Sequence, residues 1–182
     1  MSENLPHRAA AAAPMQAVAW MEELPERIVS AFPDAGLQCL SYLGQHFAEA
    51  PIGAVAPLIQ FLRDREQYDM LTDLTAVDHP KDAARFEIVY FLYSFARNER
   101  IRVKTRVAED QDAPSITSIF AGANWLEREV YDMFGLRFAG HPGLKRILLP
   151  EEWQGFPLRK DKSILAMDHD WVRDHLHIES GQ

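Results

Sequence analysis

RFEIVYFLYSFARNERIRVKTRV, residues 85–107, is the stretch that decides the fold. Its first half, Arg85 to Phe95, sets Phe86, Ile88, Tyr90 and Leu92 on one side of a pleated strand and Val89, Phe91 and Tyr93 on the other. Successive side chains of a strand point to opposite faces, so apolar residues on both sides mark a central strand covered on both faces. The second half, Arg100 to Val107, alternates almost without error. Ile101, Val103, Thr105 and Val107 point one way, and Arg100, Arg102, Lys104 and Arg106 the other. The Arg97-Asn98-Glu99 turn between them predicts a hairpin. Four cations in a row repel one another, which suits a soluble edge strand. They also suit a docking face for an acidic partner. Nucleic acid is a poor fit, because 19 basic against 27 acidic residues leave a net charge of −8.

Upstream, Tyr68 to Val77 alternates Met70, Leu74 and Ala76 against Asp73 and Thr75, a third strand. Asp78-His79-Pro80 ends it, because the residue before proline avoids the helical region. Val55, Leu58, Ile59 and Leu62, spaced i, i+3, i+4, i+7, predict a helix from Val55 to Arg65, with Pro57 confined to its first turn. Leu37 to Leu43 and Gln45 to Glu49 read as two short strands. Leu24, Ile28 and Phe32 form a helical face that Pro25 opens and Pro33 stops. Residues 1–20, rich in alanine and without a period, are expected to be a mobile tail. Their apolar run is too weak for a secretion signal. No run of 18 apolar residues exists to cross a membrane as a helix. Cys39 is the only cysteine, which rules out an intrachain disulfide and a four-thiolate cluster. It reads as a small core residue. Helix, strand pair, helix and three strands with hairpin-type connections predict an α+β fold: a mostly antiparallel sheet with helices packed on one face. This body spans 21–135, and residues 136–182 form an extended C-terminal arm.

Downstream, Asp110 to Pro114 reads as a loop and Ser115 to Phe120 as a short helix. A helix then runs Trp125 to Phe134, with Asn124 and Glu127 spaced as a capping box and Gly135 as its stop. At about 100° per residue, Leu126, Val130, Met133 and Phe134 share the apolar face. Arg128 and Asp132 lie opposite as an i,i+4 pair, with Glu129 beside them. Glu129 and Asp132 on one exposed turn lack the cleft that acid–base catalysis needs. Residues 138–143 read as a tight turn. Lys145-Arg146 and Arg159-Lys160-Asp161 bracket a segment too rich in Pro and Gly for a long helix or an inner strand. Its Trp153, Phe156 and Leu158, flanked by cations, suit anchoring on another protein. His169, His175 and His177 near the C-terminus read as part of an acidic terminus rather than a metal site.

The runs Glu127-Arg128-Glu129, Asp132-Met133-Phe134, Gly140-His141-Pro142, Lys145, Ile147-Leu148 and Pro157-Leu158-Arg159-Lys160-Asp161 resemble the signature of the thirty-kilodalton subunit family of respiratory complex I. That family comprises the C subunit of NADH–quinone oxidoreductase and its relatives in energy-converting membrane hydrogenases and formate hydrogenlyase. Asp73 to Asp78, Arg85 to Tyr90 and Asn124-Trp125-Leu126 extend the likeness upstream, so it covers roughly 24–180. Gly143 and Lys145 stand where Asp and Arg are commoner. The resemblance implies a subunit without an active site, cofactor or metal of its own, on the cytoplasmic side of the bacterial inner membrane. Its partners would be the large quinone-site subunit and the iron–sulfur subunits, in a complex that uses FMN, iron–sulfur clusters, NADH and quinone. The alternative it implies is the equivalent hydrogenase subunit. Membrane contact would come through partners only. Glu127, Arg128, Glu129, Asp132, His141, Arg146, Trp153, Arg159, Lys160 and Asp161 are then interface residues. Glu127, Arg128, Glu129 and Asp132 would position the partner, and His141 would fix a turn or an interface bond. Arg146, Arg159 and Lys160 would meet acidic groups of the neighbour. Reversing Asp132 to Lys is expected to lower the assembled complex and leave the domain folded.

Overall fold

The computed structural model describes residues 16–161 and the single position 173. In chain order the elements are β1 (Val18–Ala19), α1 (Glu23–Ala31), β2 (Gln38–Tyr42), β3 (Gln45–Glu49), α2 (Ile52–Glu66), β4 (Met70–Asp78), β5 (Phe86–Ser94), β6 (Glu99–Val107), β7 (Ala113–Pro114), α3 (Ala123–Phe134) and β8 (Phe138–Ala139). The main sheet has six strands in the order β1-β2-β3-β6-β5-β4. Every neighbouring pair is antiparallel except β3 with β6, which run parallel.

The 85–107 hairpin forms in register, with Tyr90 opposite Val103 and Phe86 opposite Val107. Its inward residues join one core with the helices. Ile88, Tyr90 and Val103 of the hairpin cluster with Ile28 of α1, Leu58 and Leu62 of α2, and Val130 and Phe134 of α3. The helices therefore share one face of the sheet, and the fold is α+β as the pattern predicts. Phe47 and Val89 are buried but stand outside that cluster, on the opposite face. Cys39 packs at the rim of the core, and burial pushes its thiol up.

Several expectations need correction. β6 is not an edge strand, because β3 pairs along its other side through Phe47 to Glu49. A parallel pair joined across a long connection leaves no local trace in the sequence. Two of the four cations of β6 are instead answered by neighbouring carboxylates. Lys104 pairs with Glu87 at 3.3 Å, and Arg106 pairs with Asp82. Helix α2 starts at Ile52, so Pro57 lies inside it rather than in its first turn. The lost bond there would have gone to the Gly53 carbonyl, a modest cost in a helix whose Val55, Leu58, Ile59 and Leu62 are fully buried. Ser115 to Phe120 makes a turn, not a helix, with the Ile119 and Phe120 N–H groups both donating to the Ile116 carbonyl at 2.9 Å. Residues 113–114 and 138–139, expected as loop and turn, pair as the short parallel ladder β7–β8. Two residues are too few for alternation to show. The body also begins earlier than residue 21. Val18 pairs with Ser41, and Trp20 is buried and stacked on His46 with ring centroids 4.3 Å apart. Residues 1–15 of the tail expected at 1–20, and the C-terminal histidines, lie outside the described residues.

Candidate functional site

The signature residues converge on α3, two of whose carboxylates, Glu127 and Asp132, are buried. The helix begins at Ala123 after Gly122, with no side-chain cap. Asn124 already lies inside it, so the expected capping box does not form. Glu127 instead turns into the protein and is fully buried. One carboxylate oxygen accepts the Ile116 N–H at 2.7 Å and the other accepts the Ser115 hydroxyl at 2.7 Å. It thus pins the 115–120 turn. Burial pushes the Glu127 carboxyl up, against the opposing pull of the Ile116 N–H, the Ser115 hydroxyl and His141. The Tyr90 phenol is raised by burial and then by the charge of Glu127.

Asp132 is fully buried too, which overturns the exposed Arg128–Asp132 pair. Its Oδ2 accepts three consecutive backbone N–H groups, from Ile147 at 3.0 Å, Leu148 at 2.8 Å and Leu149 at 2.9 Å. Its Oδ1 accepts Arg146 Nη1 at 2.6 Å. Successive N–H groups aimed at one point form an anion nest, and here the anion is a side chain of the same protein. Burial pushes this carboxyl up. The donors from Leu149, Arg146, Ile147 and Leu148 together outweigh it and hold Asp132 below the usual carboxylate range. Arg146 also donates to the Trp153 and Gly155 carbonyls at 3.0 Å each, closing the 146–155 loop on itself.

Further along, the chain is clasped to the body. Arg128 donates to the Lys145 and Arg146 carbonyls at 3.1 and 3.0 Å. The Leu158 N–H bonds the Met133 carbonyl, and Arg159 Nε bonds the Phe134 carbonyl at 2.6 Å. The Arg159 guanidinium lies between the rings of Phe86 and Phe156, with centroids at 5.3 and 4.8 Å, and pairs with Glu109. Beyond it the Lys160 N–H donates to Asp78 Oδ2 at 2.6 Å. Asp78 is in turn gripped by both arms of Arg85, at 2.7 and 2.9 Å. Arg85 holds Asp78 well below the usual carboxylate range and also binds Asp161 at 2.8 Å. His141 accepts the Gly143 N–H on Nδ1, which leaves the proton on Nε2 to donate to the Asn124 carbonyl at 3.1 Å.

Nine of the ten candidates therefore make contacts inside the chain, through side chain or backbone. Glu129 is exposed at the same helix, and the Lys160 side chain is exposed at the end of the clasp. Sequence patterning gave Asp78, Arg85 and Glu109 no contact role, although the family likeness runs through Asp78 and Arg85. Phe156, expected to anchor on another protein, instead lies under Arg146 and Arg159 of its own chain. Glu127 and Asp132 both spend their carboxylate oxygens on donors from within the chain. Among the described residues, no group of three His, Cys, Asp or Glu side chains could hold a metal. None of their helices is long and apolar enough to cross a membrane.

Residues 49–167, which include all the residues of the clasp, match the family model described as respiratory-chain NADH dehydrogenase, 30 kDa subunit. The chain belongs to this family. Among its relatives is the NADH-quinone oxidoreductase C subunit of Hyphomonas neptunium. It is 41% identical over 143 residues, covering 78% of this chain and 71% of the relative. The same subunit of Citrifermentans bemidjiense is 40% identical over 146 residues, covering 80% and 91%. Among solved structures, a chain of the archaeal membrane-bound sulfane sulfur reductase superposes with a TM-score of 0.70. At 24% identity it covers 87% of this chain and 92% of its own, so it shares the fold. For a 30 kDa subunit, then, the signature charges are structural as well as diagnostic: they hold the segment after Gly135 against α3 and the sheet.

Proposed function

We propose that the chain is a non-catalytic peripheral subunit of NADH-quinone oxidoreductase that presents a rigid docking surface to its neighbours. The observation that carries this reading is the saturation of the signature side chains. Asp132, Arg146, Arg159 and Asp78 spend their bonds on fixing the 145–161 segment. A preorganised surface loses less entropy on association than a loose one. The exposed Glu129, Lys160, Leu148 and Leu158 sit on or beside that fixed segment and supply its charge and apolar contacts. In this reading the large quinone-site subunit and the iron–sulfur subunits are the partners. FMN, the clusters, NADH and quinone belong to other chains in this reading, and for the clusters the reason is that one half-buried cysteine cannot hold one. The subunit lies on the cytoplasmic side of the bacterial inner membrane and meets the membrane through its partners.

The test is affinity purification of the tagged full-length chain from its own cells. Recovery with flavin- and iron–sulfur-bearing chains and with NADH-quinone activity supports the proposal. Nickel and hydrogen evolution would move the subunit to a membrane hydrogenase. Recovery as a lone monomer that turns over a substrate would overturn it.

A further inference from the structure

The sheet face opposite the helices carries two arginines that no carboxylate among the described residues answers. By register, Arg100, Arg102, Lys104 and Arg106 of β6 share that face with Val89, Phe91 and Tyr93 of β5 and with Phe47 of β3. Toward Arg106 the charge is balanced, since Glu87 meets Lys104 and Asp82 meets Arg106. Toward Arg100 it is not. Among the described residues, Arg100 lies over the Tyr93 ring at 5.9 Å and Arg102 over the Phe47 ring at 5.7 Å, and neither makes an ion pair. Beside them is a cleft of about 390 Å³ lined by Met70, Thr72, Phe91, Tyr93, Phe95 and Arg100. Phe95 is 66% exposed and Met70 43% exposed, so large apolar surface stands in water next to these cations.

We propose that this end of the sheet face docks an extended acidic segment of a neighbouring protein chain, with one apolar or aromatic side chain seated in the cleft. Charge complementarity selects the occupant. The chain as a whole carries −8, so an acidic partner needs a local cationic strip such as this one to approach. Guanidiniums already lying over rings are preorganised for carboxylates, and an aromatic-walled cleft supplies the anchor that charge alone lacks. Arg100 to Arg102 spans about 7 Å at the rise of a strand, room for about two extended residues beside the cleft. The surface is separate from the α3 clasp. It rests on the proposed subunit role only for the identity of the donor chain.

The experiment places the photo-crosslinking residue p-benzoylphenylalanine at position 95 of the full-length chain in its own cells, with and without Arg100→Glu/Arg102→Glu. The expected result is a cross-link to another chain of the purified complex, within a segment rich in Asp and Glu, that falls at least about tenfold in the reversed variant. The free chain should keep its melting temperature. Should the reversal unfold it, Arg100→Gln/Arg102→Gln is used instead. A cross-link to a second copy of this chain or to a neutral or basic segment overturns the proposal, as does normal complex with no cross-link. If the unmodified chain recovers no redox partners, the subunit reading fails on its own. The groove is then judged with a synthetic peptide alternating Asp and Phe. Salt-sensitive binding that the reversed variant loses supports it, and equal binding by both proteins overturns it.

Discussion

Asp132 shows how a residue that looks like surface by its spacing can be the most constrained carboxylate in a molecule. Four donors converge on it in a fully buried setting. Asp132→Asn keeps the shape but removes the charge and turns an amide N–H₂ toward one set of donors. Removing one partner of a buried pair costs about 3–5 kcal/mol, so urea unfolding of the free chain should show a loss of that order. Asp132→Lys should leave the chain unfolded by circular dichroism, contrary to the expectation that the reversal would spare the domain. Acid sensitivity follows from the same contacts. Asp132 and Asp78 are held below their unfolded value of about 3.9. Their stabilisation is complete above that pH and is lost as pH falls through their folded values, where the unfolded chain binds more protons. Glu127 has the opposite sign. Its folded value is raised, so stability falls as pH rises from about 4.3 through that value. Urea midpoints from pH 3 to 7 should therefore show a shallower acid limb in Asp132→Asn than in the parent. Glu127→Gln should flatten the decline above about 4.3. Superimposable profiles would refute both assignments.

At the scale of elements, the end of α3 is where the chain turns back over its own helix. Gly135 stops the helix at φ +78°, and a Cβ there would stand 2.5 Å from Phe156 and 2.8 Å from Arg159 Nη2. Left-handed backbone is costly for any residue with a side chain, and here the space is also taken by the clasp. Gly135→Ala should thus cost about 1–3 kcal/mol, read as a lower melting temperature. Gly143→Ala, with nothing within 4 Å of the added carbon, should melt with the parent. Equal melting of the two variants would mean that Phe156 and Arg159 do not press on the turn. The helix start was misread for a related reason. A capping box is a pattern of residue types, and Glu127 had a stronger offer from the buried Ile116 N–H than from its own helix end.

For the whole molecule, the exposed charges should govern assembly while the buried ones govern folding. Glu129→Lys with Lys160→Glu reverses two exposed side chains of the candidate surface. The free chain should unfold within about 0.5 kcal/mol of the parent, while the recovered complex should fall several-fold on native gels. Undiminished complex would remove these residues from the interface.

The α+β class, the hairpin at 85–107, the helix faces of α1 and α3 and the stop at Gly135 were all legible in the chain, because periodicity and turn chemistry are local and each element had enough residues to show them. The signature motif was legible as well. Only the tertiary structure decided that β6 lies inside the sheet and that Glu127 and Asp132 of α3 are buried. β6 is flanked by a parallel strand from the far side of α2, and the nest that receives Asp132 comes from residues 147–149. Those contacts join segments far apart in sequence through backbone N–H groups, which every residue but proline carries and which therefore leave no mark on the pattern of side chains.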